Sequence, residues 1–257
     1  MAVDLSWTGL LISYLCILIP ILINARYATG LIKPTLIAFA RMTLQLLALG
    51  LYLGFIFKLN NPAINLIWVL VMVTLTAHTV VDRSSLKLKP FFWPVFLSIL
   101  TTITVVDLFA LGLVIGPDSL LQAQYLIPVS GMIMGNILSH TIMGISTFDS
   151  KLKNERISYQ WRLACGATRE EALTPVIREA LIKAVNPLIA SMSVMGLISL
   201  PGMMTGQILG GNSPDLAVKY QIVIMLAIFV SSNLALWLSL KLIGRSIFDK
   251  YDNYKSQ

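Results

Sequence analysis

Charge is what this sequence has least of. Asp, Glu, Lys and Arg make up 12% of its 257 residues, against 56% hydrophobic ones, and histidine and cysteine occur twice each. With a mean hydropathy of +0.80, a soluble domain of this length could not hide its apolar side chains, whereas a bilayer can. Cys16, in the first apolar run, and Cys165, in a polar segment, give no disulfide framework. No pair of His, Cys, Asp or Glu within one apolar run has the spacing of a metal site, which leaves any metal ligands unknown. The phosphate loop G-x-x-x-x-G-K-[ST] is missing, so ATP is not bound by that route. No basic residue precedes Arg26, so a cleaved signal peptide is not expected. Internal repeats, low-complexity segments and a soluble domain are absent as well, and the chain reads as one transmembrane domain over 1–257.

What is there is apolar run after apolar run: 5–23, 35–57, 63–81, 92–116, 122–145, 185–209 and 218–243. Each approaches or exceeds the ~20 residues that cross about 30 Å of hydrocarbon, so the expected fold is all-α, with about seven transmembrane helices. The net charge of +7 could suggest nucleic acid. The basic residues, however, fall between the runs, the pattern of membrane-protein loops, and no nucleic-acid partner is expected. Alternate intervals and the tail hold 16 of the 19 Lys and Arg, while the other intervals hold only Lys58 and Lys219. The positive-inside rule then puts the N-terminus outside and the C-terminus in the cytoplasm. The loops at 60–62, 116–118 and 210–214 read as outer turns from their Asn, Gly and Pro content.

The richest basic interval is a cytoplasmic hairpin at about 149–184, with seven Lys and Arg among five Asp and Glu. Its first arm, 150–164, lacks Gly and Pro and suits one helix. Gly166 supplies a left-handed helix stop, and Thr168-Arg169-Glu170-Glu171 reads as a capping box opening the next helix. Glu170 and Glu171 also sit where a helix dipole favours negative charge. Leu173, Val176, Ile177, Ala180, Leu181 and Ala184 then recur at helical spacing. Pro175 either kinks that helix or makes 168–173 a separate short one, and the short helix is the reading adopted. A charged, capped element on the cytoplasmic side of an oily chain suits a soluble docking partner.

Polar groups within the runs are costly and therefore informative. Arg41 and Gln45 stand one turn apart in the second run, where Arg41 either snorkels to the headgroups or serves function. Asp107 is the one carboxylate well inside a run, placed to pair with a neighbouring helix or to bind a cation. His78 and His140 lie toward cytoplasmic ends, where interfacial histidines are ordinary. Two segments, 127–136 and 196–206, carry Pro and Gly at membrane depth, and such backbone survives only when buried in protein or lining a cavity. We expect them to face each other, or their dimer mates, around a translocation route, with Asn136 and Ser199 as polar linings; the competing reading is that Gly131, Gly135 and Gly202 only pack helices. Their methionines, including Met132, Met203 and Met204, suit adaptable packing more than metal ligation. Gly131-x-x-x-Gly135 fits close helix approach.

The strings GLISLPGMMTGQILGG at 196–211, AVKYQI at 217–222, IPVSGMIMGN at 127–136 and the GAT turn at 166–168, with Arg41 and Gln45, resemble the FetB family of iron-export permeases. Plant relatives of that family are linked to aluminium tolerance. The likeness covers nearly the whole chain and is most specific from 122 to 222. It implies the membrane subunit of an ABC transporter in a bacterial plasma membrane, paired as a homodimer among membrane lipid and energised by a separate ATP-binding subunit. It further implies coupling to that subunit through Gly166, Ala167, Thr168, Glu170 and Glu171. The route expected from the interrupted segments and the intramembrane polar groups runs past Asn136, Met132, Ser199, Pro201, Met203, Met204, Arg41, Gln45 and Asp107, and the resemblance implies that it carries iron or a related metal ion or complex. No cofactor or enzymatic activity is expected of this chain. Other ABC cargo, such as a nucleotide sugar, is an alternative. An ion-coupled carrier would show several membrane carboxylates and repeat halves. An intramembrane enzyme would show an acid/base pair or metal cluster.

Overall fold

The computed structural model describes residues 6–84, 88–116, 118 and 120–246. Lys87 and the basic tail beyond residue 246 lie outside them. All the regular elements among the described residues are helical. They are α1 (Trp7–Ser13), a 3₁₀ turn (Tyr14–Ile17), α2 (Leu18–Arg26), α3 (Ile32–Leu59), α4 (Pro62–Arg83) and α5 (Leu88–Asp107). A π-helical stretch (Leu108–Ile115) follows, then α6 (Ala123–Asn154), α7 (Arg156–Ala164), α8 (Arg169–Ser193), α9 (Gly202–Leu209) and α10 (Pro214–Ser246).

Among the described residues, six helical segments are long and apolar enough to cross a membrane: Trp7–Arg26, Ile32–Leu59, Pro62–Arg83, Phe91–Ile115, Ala123–Asn154 and Pro214–Arg245. The chain is an integral membrane protein. The sixth apolar run, 185–209, is helical on both sides of a break. It holds the end of α8 and all of α9, separated by 194–201. Gly196 turns left-handed there (φ 83°), its N–H donating to the Ser199 carbonyl at 3.0 Å, and Pro201 precedes the restart.

The contacts divide the chain into two compact units. The first holds α1–α3 with Leu209–Gly211. Within it the Tyr14 hydroxyl bonds the Thr43 hydroxyl, which itself donates to the Phe39 carbonyl at 2.9 Å.

The second unit carries the packed core. Val73, Ala77 and Val80 of α4, Val95 and Ile99 of α5, and Ile133 and Ile137 of α6 are buried in it. So are Ala180 and Ala184 of α8, with Ala235 and Leu236 of α10. Small and β-branched residues dominate because helices in lipid gain stability from close van der Waals contact rather than from escaping water. At Gly144 of α6 the Leu236 side chain of α10 fills the place a Cβ would take. Of the expected Gly131-x-x-x-Gly135 pair, a Cβ at Gly131 would stand 3.2 Å from the Met72 methyl of α4, while Gly135 has nothing within 4 Å of that place among the described residues.

Side-chain contacts fix the two ends of this unit. Asn60 Oδ1 accepts from the Ala123 amide at 3.0 Å and Asn65 Nδ2 donates to the Leu121 carbonyl at 2.8 Å, tying the start of α4 to the start of α6. At the opposite end, the Leu173 side chain sits against Gly244, so the hairpin lies beside the C-terminal end of α10.

Candidate functional site: the hairpin and a cavity

The hairpin begins inside α6. A 32-residue helix is about 48 Å long and overshoots about 30 Å of hydrocarbon, so its last turns project beyond. The expected single helix over 150–164 is corrected. α6 runs on to Asn154, the chain bends at Glu155 (φ −106°, ψ 27°), and α7 starts afresh at Arg156. Gly166 then takes φ 93°, the Ala167 amide donates to the Arg162 carbonyl at 3.1 Å and the Gly166 amide to Leu163 at 2.9 Å. That pair of bonds satisfies the last carbonyls of α7, which only a left-handed residue at 166 permits.

The capping box is formed as expected. The Thr168 hydroxyl accepts from the Glu171 amide at 3.3 Å, and Glu171 Oε2 accepts from the Thr168 amide at 2.8 Å. The Thr168 amide and then its hydroxyl hold the Glu171 carboxyl below the usual glutamate range. The expected short helix ending before Pro175 is corrected too, because α8 is continuous from Arg169 to Ser193 with Pro175 and Pro187 inside it. A proline frees carbonyls three and four residues back. Here the Arg162 guanidinium donates to the Ala172 carbonyl at 3.2 Å, and Ala172, Leu173 and Val176 are buried on either side. Packing and a borrowed donor hold the helix through the proline.

Ion pairs lock the base. Glu179 of α8 bridges Lys151 of α6 and Lys183, the latter at 3.1 Å, while Lys151 also reaches Glu155 at 2.7 Å. Lys151, then Lys183, lower the Glu179 carboxyl from its ordinary value. The hairpin is therefore stiff where it meets the bundle. At its far side α7 turns two large apolar residues outward, Ile157 at 83% exposure and Trp161, one turn on, at 69%. Sequence reading places the coupling residues in the capped turn; the exposed i, i+4 pair of Ile157 and Trp161 in the charged arm before it is a feature that reading leaves out.

At the other end of the unit a cavity of about 290 Å³ opens between α6, α9 and α10. Pro128 and Val129 line it from the first Pro/Gly segment, which is regular helix within α6 and not the irregular backbone expected, and Met203 of α9 lines it from the second. Gln124, Tyr125, Gln207, Asn212 and Tyr220 contribute amides and phenols. The Gln207 Oε1 atom is buried and without a hydrogen-bond partner. Charges, Pro and Gly do not point to these polar groups in the sequence; the uncharged amides Gln124 and Gln207 within apolar runs do.

Other expected site residues are dispersed. Asn136 lies two turns below Pro128, its Nδ2 donating to the Met132 carbonyl at 2.9 Å, and the Asn136 carbonyl stands 2.7 Å from His140 Nδ1. Ser199 is exposed in the break, with Pro201 and Met204 after it half-buried. Asp107 is buried at the end of α5, where Ser130 Oγ of α6 donates to Oδ2 at 2.5 Å and Oδ1 has no partner. Arg41 and Gln45 are exposed on α3 of the first unit. Among the described residues, no group of three or more His, Cys, Asp or Glu is placed to hold a metal ion.

The family described as Uncharacterised protein family (UPF0014) matches residues 7–248, nearly the whole chain. The chain belongs to the UPF0014 family. Among its relatives, UPF0014 membrane protein YjkA of Bacillus subtilis is 30% identical over 98% of this chain and 99% of its own length. Probable iron export permease protein FetB of Escherichia coli is 28% identical over 94% of this chain and 92% of its own length. UPF0014 membrane protein STAR2 of Oryza sativa is 33% identical over 85% and 75%. No solved structure gives a significant match to this UPF0014 chain. Both the hairpin and the cavity lie inside the matched span, so they are parts of the UPF0014 domain and not additions to it.

Proposed function

We propose that this chain is the membrane-spanning permease subunit of an ABC transporter, driven by a separate ATP-binding protein that docks on the hairpin. The observation that carries the proposal is the exposure of Ile157 and Trp161 on a hairpin stiffened by a Schellman turn, a capping box and an ion-pair network. A large aromatic on a rigid, charged element is the kind of anchor that dominates protein interfaces. Gly166, Ala167, Thr168, Glu170 and Glu171 position it, and the positive-inside pattern supports a cytoplasmic face for it.

The printed name of the E. coli relative supports export of iron or a related metal species. The cavity lining of amides, phenols and one thioether supports cargo that arrives with its own ligands or hydration shell, since such groups recognise a polar outer surface better than they strip a cation. In this reading the cavity is the outer part of the route.

Co-purification tests the docking claim. The ATP-binding protein should follow the wild-type chain through detergent affinity purification, and Ile157→Asp/Trp161→Asp should lower its recovery about tenfold, as loss of a hot-spot pair does. Both residues are exposed, so yield and melting temperature of the permease should not change. Equal recovery with both chains overturns the docking site.

A further inference from the structure

A second groove, of about 730 Å³, runs between α8 and α10 beside the hairpin. Its apolar walls are Leu173, Ile177, Leu181 and Ile182 of α8 with Trp237 and Leu240 of α10. The Leu173–Gly244 contact sets the two helices antiparallel in a register that puts Arg245 near Leu173 and Trp237 near Leu181. Four cations rim it: Arg169, Arg178, Lys241 and Arg245, against the single acid Glu170. Lys241 Nζ lies 5.3 Å over the Trp237 ring. Among the described residues, Arg178, Lys241 and Arg245 have no carboxylate within ion-pair distance.

The polarity changes along the groove. Arg169 and Arg245 sit at the hairpin end, Arg178 and Lys241 stand one turn short of Leu181, Ile182 and Trp237, and the groove closes on those three apolar side chains. Beyond it the exposed side chains continue as Ile189 on α8 and Val230 on α10. The groove also lies at the last turns of a membrane-crossing helix, the depth at which headgroups meet acyl chains. Cations above an apolar channel at that depth match one ligand chemistry: a phosphodiester carrying acyl chains. We propose that this groove binds an anionic phospholipid of the hairpin-side leaflet, with Arg178, Lys241 and Arg245 around the phosphate and an acyl chain along Ile182 and Trp237. A soluble acidic peptide has no use for the apolar half, and a free phosphate has none either. The proposal rests on the cytoplasmic placement of the hairpin argued above, not on its docking an ATPase.

Trp237 serves as a built-in reporter. The full chain is placed in phosphatidylcholine bilayers containing a small fraction of brominated phosphatidylglycerol or, separately, brominated phosphatidylcholine, and tryptophan fluorescence is read. The part of the quenching lost in Trp237→Phe is the groove's own signal. It should be about twofold or more stronger with the anionic lipid, and the preference should vanish in Arg178→Gln/Lys241→Gln/Arg245→Gln. Arg156→Gln/Lys153→Gln, which alters charge elsewhere on the hairpin, should keep it. Equal quenching by the two brominated lipids overturns the proposal, as does a preference that survives the triple change. Abolition of the preference by millimolar inorganic phosphate would make the groove a phosphate site and overturn it as well. If neither chain shows a lipid preference and, in a separate co-purification, the triple variant loses the ATP-binding protein, the groove is a protein dock and the lipid proposal fails. The measurement needs no ATPase, so its outcome is separate from that of the docking test.

Discussion

Ser130 of α6 donates a 2.5 Å hydrogen bond to the buried Asp107 carboxyl at the junction of α5 and the π-helical stretch. The bond joins two core helices, and the second carboxyl oxygen has no partner. Ser130→Ala should therefore cost about 1–3 kcal/mol, because it leaves a buried carboxyl with nothing to satisfy it. Asp107→Asn keeps an acceptor for Ser130 and should leave melting temperature and transport near wild type. Thermal melts of both variants in detergent check this. A transport loss in Asp107→Asn with unchanged stability would instead assign Asp107 to charge selection on the route.

Close packing concentrates at Gly144. Gly144→Val drives a side chain into Leu236 and should cost about 1–3 kcal/mol, the usual range for overpacking. Gly135→Ala meets open space and exchanges a poor helix former for the best one, so it should be neutral or stabilising by up to about 1 kcal/mol. Melting temperatures of the two variants separate the two outcomes, and equal destabilisation would contradict the packing described here.

The capping box carries a pH dependence with a definite sign. The Glu171 carboxyl is lowered below its ordinary value by the Thr168 amide and hydroxyl. Its contribution is thus fully present above the ordinary glutamate range and is lost as pH falls through the lower folded value. Hydrogen exchange at the Ala172 and Leu173 amides, corrected for intrinsic rates, should show protection falling across that window in wild type. Glu171→Gln, which still offers an acceptor, should flatten the profile. A wild-type profile already flat there would remove Glu171 from the cap.

The turn at 166–171 was legible in the sequence because its causes are local: one left-handed glycine, one hydroxyl and one carboxylate within six residues. The helical class was legible for a similar reason, since the length of an apolar run is a local quantity. The continuity of α8 through Pro175 was not, because it depends on Arg162 reaching Ala172 and on partners that bury Val176. The cavity was legible only in part. Pro128 and Met203 stood out, but Gln207 and Tyr220 acquire meaning only when α9 and α10 are brought together.

The break at 194–201 carries a prediction about assembly. Leu197 and Ile198 are 87% and 81% exposed there, on irregular backbone that hydrocarbon does not tolerate uncovered. We propose that a second copy of the chain covers them. In a Cys16→Ser/Cys165→Ser background, Leu197→Cys should form a disulfide-linked dimer in membranes on mild oxidation, and Lys219→Cys, exposed on α10, should not. Linkage at both positions or at neither would contradict a specific pairing at the break.

The cavity makes its own forecast for transport. Gln207→Leu and Tyr220→Phe should each lower turnover about tenfold, because each removes a polar group worth roughly 1–1.5 kcal/mol to a polar cargo. Asn136→Ala should change little, since its amide already serves its own helix. Assembly with the ATP-binding protein should stay intact in all three. Normal turnover in both cavity variants would move the route elsewhere.

The most direct test of the account is ATP-driven cargo movement in proteoliposomes. These would hold the chain with its ATP-binding protein, the chain alone, or the Ile157→Asp/Trp161→Asp chain with that protein. Movement of iron, free or chelated, should require ATP and both proteins, and should fall to the level of the chain alone in the hairpin variant. Movement by the chain alone under a proton or sodium gradient, or full ATP-driven movement by the hairpin variant, would contradict it.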